Sequence, residues 1–171
     1  MSSSFRRSLL LAILLIGAAA CQCVFAVKIS IHGARPDLVL MVALLGSLFF
    51  GANESAGIGF CAGVLTASCA APPAHFDGYG SIVVSRVIVC FVVGWLEERV
   101  FRDNFLIALA IVAGGTLLAE ACFFAFDPHF RPGPWLHGIL LETVYNSTLC
   151  IPVYYLARLC LKRPQVLISA G

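Results

Sequence analysis

Ionisable and amide side chains inside the apolar runs of this chain are its first candidates for chemistry. The four are Arg86, Glu120, Glu142 and Asn146. A carboxyl group in such a setting can carry a proton or act as a general acid or base. The sequence, however, shows no nucleophile with a base beside it and no glycine-rich phosphate loop outside the apolar runs. These residue types therefore predict a non-enzymatic protein, and they predict neither a cofactor nor a metal.

Cysteine and histidine supply no recognisable ligand set. The eight cysteines are interpreted as small packing residues, because most are scattered through apolar stretches. Cys21 and Cys23 have one residue between them, whereas metal and redox pairs usually have two. Asp127, His129 and His137 could gather around a metal at one surface, but their spacing matches no ligand pattern.

The amino-acid composition indicates whether these polar groups lie in a soluble domain or in a membrane. The chain has 171 residues, of which 60% are hydrophobic and only 12% are charged. Soluble domains carry about 25% charged residues, and a run of about 20 apolar residues can cross the hydrocarbon core of a bilayer as a helix. The net charge of +2 is too small to suggest nucleic acid as a partner. The sequence therefore predicts a polytopic membrane protein.

Six apolar segments are predicted to be transmembrane helices of one all-α domain covering residues 1–171. They span about 8–27, 37–51, 56–71, 81–97, 104–126 and 135–161. Pro36 and Asp37 stand where the start of a helix favours them. The residues Asn53-Glu54-Ser55 are expected to form a tight turn before the third segment. The connections are short, which leaves no room for a soluble domain.

Basic residues in the connections predict the orientation of the chain. One side collects six of them, Arg6, Arg7, Arg99, Arg102, Lys162 and Arg163, whereas the other holds Lys28, Arg35 and Arg131. The positive-inside rule then places both termini in the cytoplasm. A cleavable signal at the start is disfavoured, because the first apolar run continues as far as Val27. The first segment is expected to remain as an anchor.

The depth of the charged groups leaves three interpretations open. At 1.5 Å per residue, Arg86, Glu120 and Glu142 would all lie roughly 8–11 Å below the outer interface. They could form one cluster in which a single arginine serves two carboxylates, with Asn146 facing the bundle from the same side of the last helix. Alternatively, Arg86 reaches outward and each glutamate finds hydroxyl or backbone partners. The third interpretation is a pathway for a substrate or a proton.

Small residues recur along one face of the third segment. They are Ala52, Ala56, Gly59, Gly63, Ala67 and Ala71. Such a stripe lets helix backbones approach closely in a membrane. It favours packing within the bundle over docking of a partner. Pro152, which is expected to bend the last helix, belongs with Gly59, Gly63 and Ala67 as a position for helix packing or partner docking.

Two stretches resemble a known family. The last segment has Tyr145-Asn146, then Pro152, Tyr154-Tyr155 and Arg158, and it resembles the closing helix of the bacterial rod-shape-determining protein MreD. The stretch Arg35-Pro36-Asp37-Leu38 is similar to the Pro-Asp-aliphatic start of the second helix in that family. The chain departs from the family at Ala67-Ser68-Cys69-Ala70-Ala71, where an aspartate often follows the glycine-rich helix.

The resemblance implies a non-enzymatic scaffold of the inner membrane that maintains cell shape and organises peptidoglycan synthesis in the elongasome. It implies an MreC-like protein as the partner, and through it MreB, RodA and a penicillin-binding transpeptidase. Membrane lipid surrounds the protein, and no nucleic acid is expected. MreD is also similar in fold to the substrate-binding components of energy-coupling-factor vitamin transporters. A transporter component is therefore the main alternative, although residues 8–27 lack the Ala-xxx-Ala with which those components dock their coupling subunit.

Overall fold

The computed structural model describes residues 3–26, 28, 35–69, 77–96, 105–126 and 132–161, and all regular structure within them is helical. The predicted all-α class is confirmed for this part of the chain. Six α-helices follow one another: α1 (Ser3–Cys21), α2 (Leu38–Ser47), α3 (Ala52–Cys69), α4 (Asp77–Leu96), α5 (Phe105–Phe126) and α6 (Pro132–Leu161). A short π-helix, Gln22–Ala26, continues α1.

Three helical stretches in the described residues are long and apolar enough to cross a membrane. They are Phe5–Phe25, Gly78–Leu96 and Phe105–Phe126. Large apolar side chains such as Ile16, Leu106 and Val144 are exposed on the outside of the bundle. In water this surface would cost free energy, whereas lipid solvates it at no such cost. Both observations agree with the predicted membrane protein.

The helix α2 lies at the centre of the bundle. Its side chains from Val39 to Ser47 are all buried, and it packs against each of the other five α-helices. A helix that is apolar on every face suits either the core of a protein or contact with lipid, and α2 lies in the core. With ten residues it is about 15 Å long, half of what is needed to cross the hydrocarbon core. The expectation that residues 37–51 form a transmembrane helix is therefore wrong.

The turn between α2 and α3 also differs from the expectation. Asn53, Glu54 and Ser55 form the first turn of α3, whereas the chain reverses over residues 48–51. The Ser55 backbone N–H donates to the Gly51 carbonyl (2.9 Å), which closes the first turn of the helix. The Ser55 hydroxyl lies 3.3 Å from the Ser47 and Phe50 carbonyls. Ser55 is thus a buried helical residue that satisfies the carbonyls left at the end of α2.

The glycines of α3 pack against α4. A Cβ on Gly59 would meet the backbone carbonyl of Arg86, and one on Gly63 would lie 2.7 Å from the Val83 Cα. Ala67, one turn further along, is also buried. The stripe therefore lies inside the bundle at these positions, in agreement with the packing interpretation. Pro152, in contrast, lies within α6 with its ring exposed.

Candidate functional site

The start of α2 lies among buried side chains, so its backbone N–H groups need hydrogen-bond partners from elsewhere in the bundle. The first four N–H groups of any helix have no partner within that helix. Asp37 caps α2 by accepting a hydrogen bond from the Leu40 N–H at its Oδ1 atom (2.8 Å). The Val39 N–H donates to the Gln22 Oε1 atom (3.0 Å), and Pro36 has no N–H to satisfy.

Asn146, on α6, also binds the start of α2. Its Oδ1 atom accepts a hydrogen bond from the Asp37 backbone N–H (3.0 Å). Its amide nitrogen donates to the Thr116 hydroxyl (3.3 Å), which itself donates to the Val112 carbonyl (2.8 Å). Asn146 is completely buried. One amide side chain therefore joins α6 to α5 and to the start of α2.

Arg86 supplies the positive charge of this region. Its Nη2 atom lies 2.8 Å from the Asp37 Oδ2 atom and 3.6 Å from the Glu120 Oε1 atom. The side chain does not reach outward, since Arg86 is only 4% exposed. A buried arginine with two carboxylates around it matches the cluster interpretation of the sequence. We call Asp37, Arg86, Glu120 and Asn146 the polar junction.

Glu142 lies at the edge of the polar junction rather than within it. Its carboxylate is half-buried and close enough to Arg86, Glu120 and Asp37 to interact with them electrostatically. It makes no hydrogen bond or ion pair with any residue that the structure describes. Of the four residues singled out from the sequence, three are thus joined to the polar junction by direct contacts, and Glu142 is near them.

The sequence reasoning missed Asp37 as the principal partner of Arg86. It treated Asp37 as an interfacial residue at the start of a membrane-crossing helix. In the structure, Asp37 meets Arg86 at the midpoint of α4 and Asn146 at the midpoint of α6. The available signal was the shortness of the apolar run after Pro36, since a helix too short to cross must begin at depth.

The polar junction has the chemistry of a structural link between helices. Both carboxylate oxygens of Asp37 and both polar atoms of the Asn146 amide are engaged in hydrogen bonds. Within the described residues, no group of three or more His, Cys, Asp and Glu side chains could hold a metal ion. The Asp127, His129 and His137 set considered from the sequence lies outside the side chains that the structure describes.

A second feature is an apolar groove between α1 and α3. Its volume is about 630 Å³, and residues of both helices line it, among them Leu11, Leu15, Gly57, Cys61 and Val64. Glu54, in the first turn of α3, supplies a charged group at its wall. The groove lies on the outer side of the bundle, away from the polar junction.

Comparisons with known proteins give no match. No family of known proteins, no curated protein and no solved structure matches this chain. The resemblance to the MreD family therefore rests on the two motifs of the sequence.

Proposed function

We propose that this protein is a non-enzymatic scaffold of the bacterial inner membrane, with both termini in the cytoplasm. It would organise peptidoglycan synthesis in the cell-elongation machinery and thereby maintain cell shape. One observation carries the proposal. The two motifs that resemble the MreD family, Pro36-Asp37 and Tyr145-Asn146, meet in a buried hydrogen bond between residues 109 positions apart. The two motifs therefore act together to attach the start of α2 to α6.

The hydrogen bonds of Asp37 and Asn146 favour a scaffold over a transporter component. A substrate site needs polar groups that face a cavity and have no partner within the protein. The Asp37 carboxylate instead accepts from the start of its own helix α2 and from Arg86 on α4. The Asn146 amide accepts from the Asp37 backbone N–H and donates to Thr116 on α5. The groove of about 630 Å³ lies elsewhere and is lined mostly by apolar side chains. A rigid bundle with a groove on its outer side suits the docking of another membrane protein.

The docking face in this proposal is the α1/α3 groove, and its occupant is the single transmembrane helix of an MreC-like partner. Gly57 lines the groove, and a Cβ there would meet nothing within 4 Å, so a second helix can approach closely. Glu54 is exposed and forms no ion pair with a described residue. Basic residues flank the cytoplasmic ends of membrane helices, which is where the proposed orientation puts Glu54. The charges are therefore complementary.

Co-purification tests this proposal. The protein is extracted in mild detergent, and recovery of the MreC-like protein of the same cell is measured for the wild type, Gly57→Leu and Gly114→Leu. Gly114 is the control, because it is exposed on α5 and also has no neighbour within 4 Å of a Cβ. We expect Gly57→Leu to lower recovery at least about tenfold, equivalent to about 1.4 kcal/mol of binding free energy, and Gly114→Leu to leave it unchanged.

Different results would contradict the proposed function and the proposed docking face. Deleting the gene should make rod-shaped cells round, and normal cells together with no partner recovered by the wild type would contradict the proposed function. Equal recovery with Gly57→Leu and the wild type would leave the scaffold in place and reject the groove as its docking face. A change in co-purifying lipid alone would show that an acyl chain occupies the groove.

A further inference from the structure

The helices α5 and α6 run antiparallel, and contacts at two levels fix their alignment. The centroid of the Phe105 ring, at the start of α5, lies 5.6 Å from that of the Tyr154 ring in the last part of α6. Further along, the Asn146 amide nitrogen lies 3.3 Å from the Thr116 hydroxyl. A residue that follows Thr116 on α5 therefore lies level with a residue that precedes Asn146 on α6.

Glu120 and Glu142 lie level with each other at this interface. Glu120 follows Thr116 by four residues, and Glu142 precedes Asn146 by four. Residues four apart share a helix face, so each glutamate lies about 6 Å beyond the Thr116–Asn146 contact, in the same direction along the bundle. The Glu120 side chain is only 16% exposed, and Glu142 is half-buried. The described contacts thus place two carboxyl groups at one level of the α5/α6 interface.

The carboxyl groups at this level outnumber the cations. Arg86 is the only buried cation among the described residues, and its Nη2 atom lies 2.8 Å from the Asp37 Oδ2 atom and 3.6 Å from the Glu120 Oε1 atom. With Glu142, three carboxyl groups accompany one guanidinium, which leaves two excess negative charges if all three are ionised. A carboxylate avoids the cost of an unpaired charge within a membrane by binding a proton. The charges therefore favour a proton at this site.

The Arg86 guanidinium also has a donor without a partner. Its Nε atom is buried and forms no hydrogen bond with any residue that the structure describes. Buried donors of this kind are rare, and an ordered water molecule can satisfy them. Nε and Nη2 are neighbouring donors of one planar group, so a water on Nε would lie beside the carboxylates that Nη2 contacts. Such a water can exchange protons with the carboxyl groups.

We propose that Glu120 and Glu142 form a proton-binding site, in which the pair holds one exchangeable proton at neutral pH beside a water bound to the Arg86 Nε atom. The proton passes from solvent through that water to a carboxylate oxygen, which becomes a neutral carboxylic acid. In the orientation given under the proposed function, the site lies nearer the periplasm, since Glu120 is six residues from the end of α5. Proton binding does not depend on that orientation or on the scaffold function.

The other helices around the pair bring two charged groups among the described residues, Asp37 at the start of α2 and Arg86 on α4. Neutral groups come from α3, where Gly59 packs against the Arg86 backbone, and from the extension of α1, where Gln22 binds the start of α2. Both Asp37 carboxylate oxygens already accept hydrogen bonds, whereas Glu142 accepts none from a described residue. The proton is therefore expected on the glutamate pair rather than on Asp37.

Infrared spectroscopy tests the proposal, because a protonated carboxyl group absorbs at a higher frequency than a carboxylate. Difference spectra are recorded while the full-length protein in lipid nanodiscs is titrated from neutral to alkaline pH. We expect one protonated-carboxyl band at neutral pH that disappears at alkaline pH. Glu142→Gln should abolish the band, because Glu120 remains next to Arg86. Glu54→Gln is the control and should retain it, since Glu54 is exposed and forms no ion pair with a described residue.

Glu120→Gln distinguishes a proton shared by the pair from a proton bound to Glu142 alone. The substitution removes a neighbouring negative charge, so Glu142 should release its proton more readily. We expect the band to persist only at a proton concentration at least about tenfold higher than in the wild type. In deuterated buffer the wild-type band should shift to lower frequency, because water reaches the pair and exchanges its proton.

Several results would overturn the proposal. A wild-type spectrum without a protonated carboxyl group at neutral pH would reject it, as would an unchanged band in Glu142→Gln. A titration that Glu120→Gln leaves unchanged would contradict sharing, and a band that does not shift in deuterated buffer would contradict exchange through water. A band that appears only after Na⁺ and K⁺ are replaced by a large organic cation would assign the site to a metal cation instead. The wild-type spectra decide the matter even where a variant fails to fold.

Discussion

The helices α1 and α2 are both strongly apolar, yet they occupy opposite positions in the bundle. In α2, every side chain from Val39 to Ser47 is buried. In α1, three apolar side chains are buried, whereas others, such as Ile13 and Ile16, are exposed. Hydrophobicity therefore does not distinguish a central helix from a peripheral one in a membrane protein. The difference lies at the helix ends: α2 begins among capping side chains from distant segments, whereas the exposed face of α1 needs only lipid.

The largest loss of stability is expected from removing the positive charge of Arg86, which pairs with Asp37 at the start of α2. Arg86→Met leaves Asp37 and Glu120 without their shared cation, and breaking one side of a buried ion pair costs about 4 kcal/mol. The free energy of unfolding in mixed micelles measures this loss. Adding Asp37→Asn to Arg86→Met should recover part of it, because fewer buried carboxylates then lack a partner. An Arg86→Met protein as stable as the wild type would contradict the ionic role of the polar junction.

Truncations test the comparison of the two helices directly. Leu44→Ala removes a fully buried side chain that packs against Gly115, and the cavity should lower the free energy of unfolding by about 3 kcal/mol. Ile16→Ala removes an α1 side chain that is 62% exposed, and its effect should stay within about 0.5 kcal/mol. Equal losses from the two variants would mean that α1 is as central to stability as α2.

Added side chains test the close contact of α3 with α4. The Cβ of Gly63→Ala would lie 2.7 Å from the Val83 Cα, so the helices must separate, at a cost of about 2 kcal/mol. Gly57→Ala on the same helix meets nothing within 4 Å and serves as the control. Thermal unfolding in detergent compares the two. Similar melting temperatures for both variants would show that α3 and α4 do not depend on this close approach.

The smallest expected losses of stability compare a substitution of Asn146 with one of Glu142. Asn146→Leu leaves the buried Asp37 N–H without an acceptor and should lower the free energy of unfolding by about 1.5 kcal/mol. Glu142→Gln removes a carboxylate that has no hydrogen-bond partner among the described residues, and we expect a change within about 0.5 kcal/mol. A loss from Glu142→Gln that equals the loss from Asn146→Leu would make Glu142 a full member of the polar junction.

The sequence predicted where helices occur better than how they meet. The apolar runs identified all six helices, and the stripe containing Gly59 and Gly63 correctly indicated close packing. The length of α2 was overestimated, because the apolar run continues through Phe49 and Phe50 into a turn that no residue pattern separates from the helix. The sequence predicts Asp37 only as an ordinary helix start, because helical spacing gives the depth of a residue only when the helix crosses the whole bilayer.

The hydrogen bond between Asp37 and Asn146 cannot form until most of the chain has been synthesised. The two residues are 109 positions apart, and a ribosome adds roughly 5 to 20 residues per second, so the acceptor is made on the order of 10 s after the donor. During this interval the start of α2 has no Asn146 to accept its N–H. Chains that end before α6 keep that group unsatisfied within the membrane.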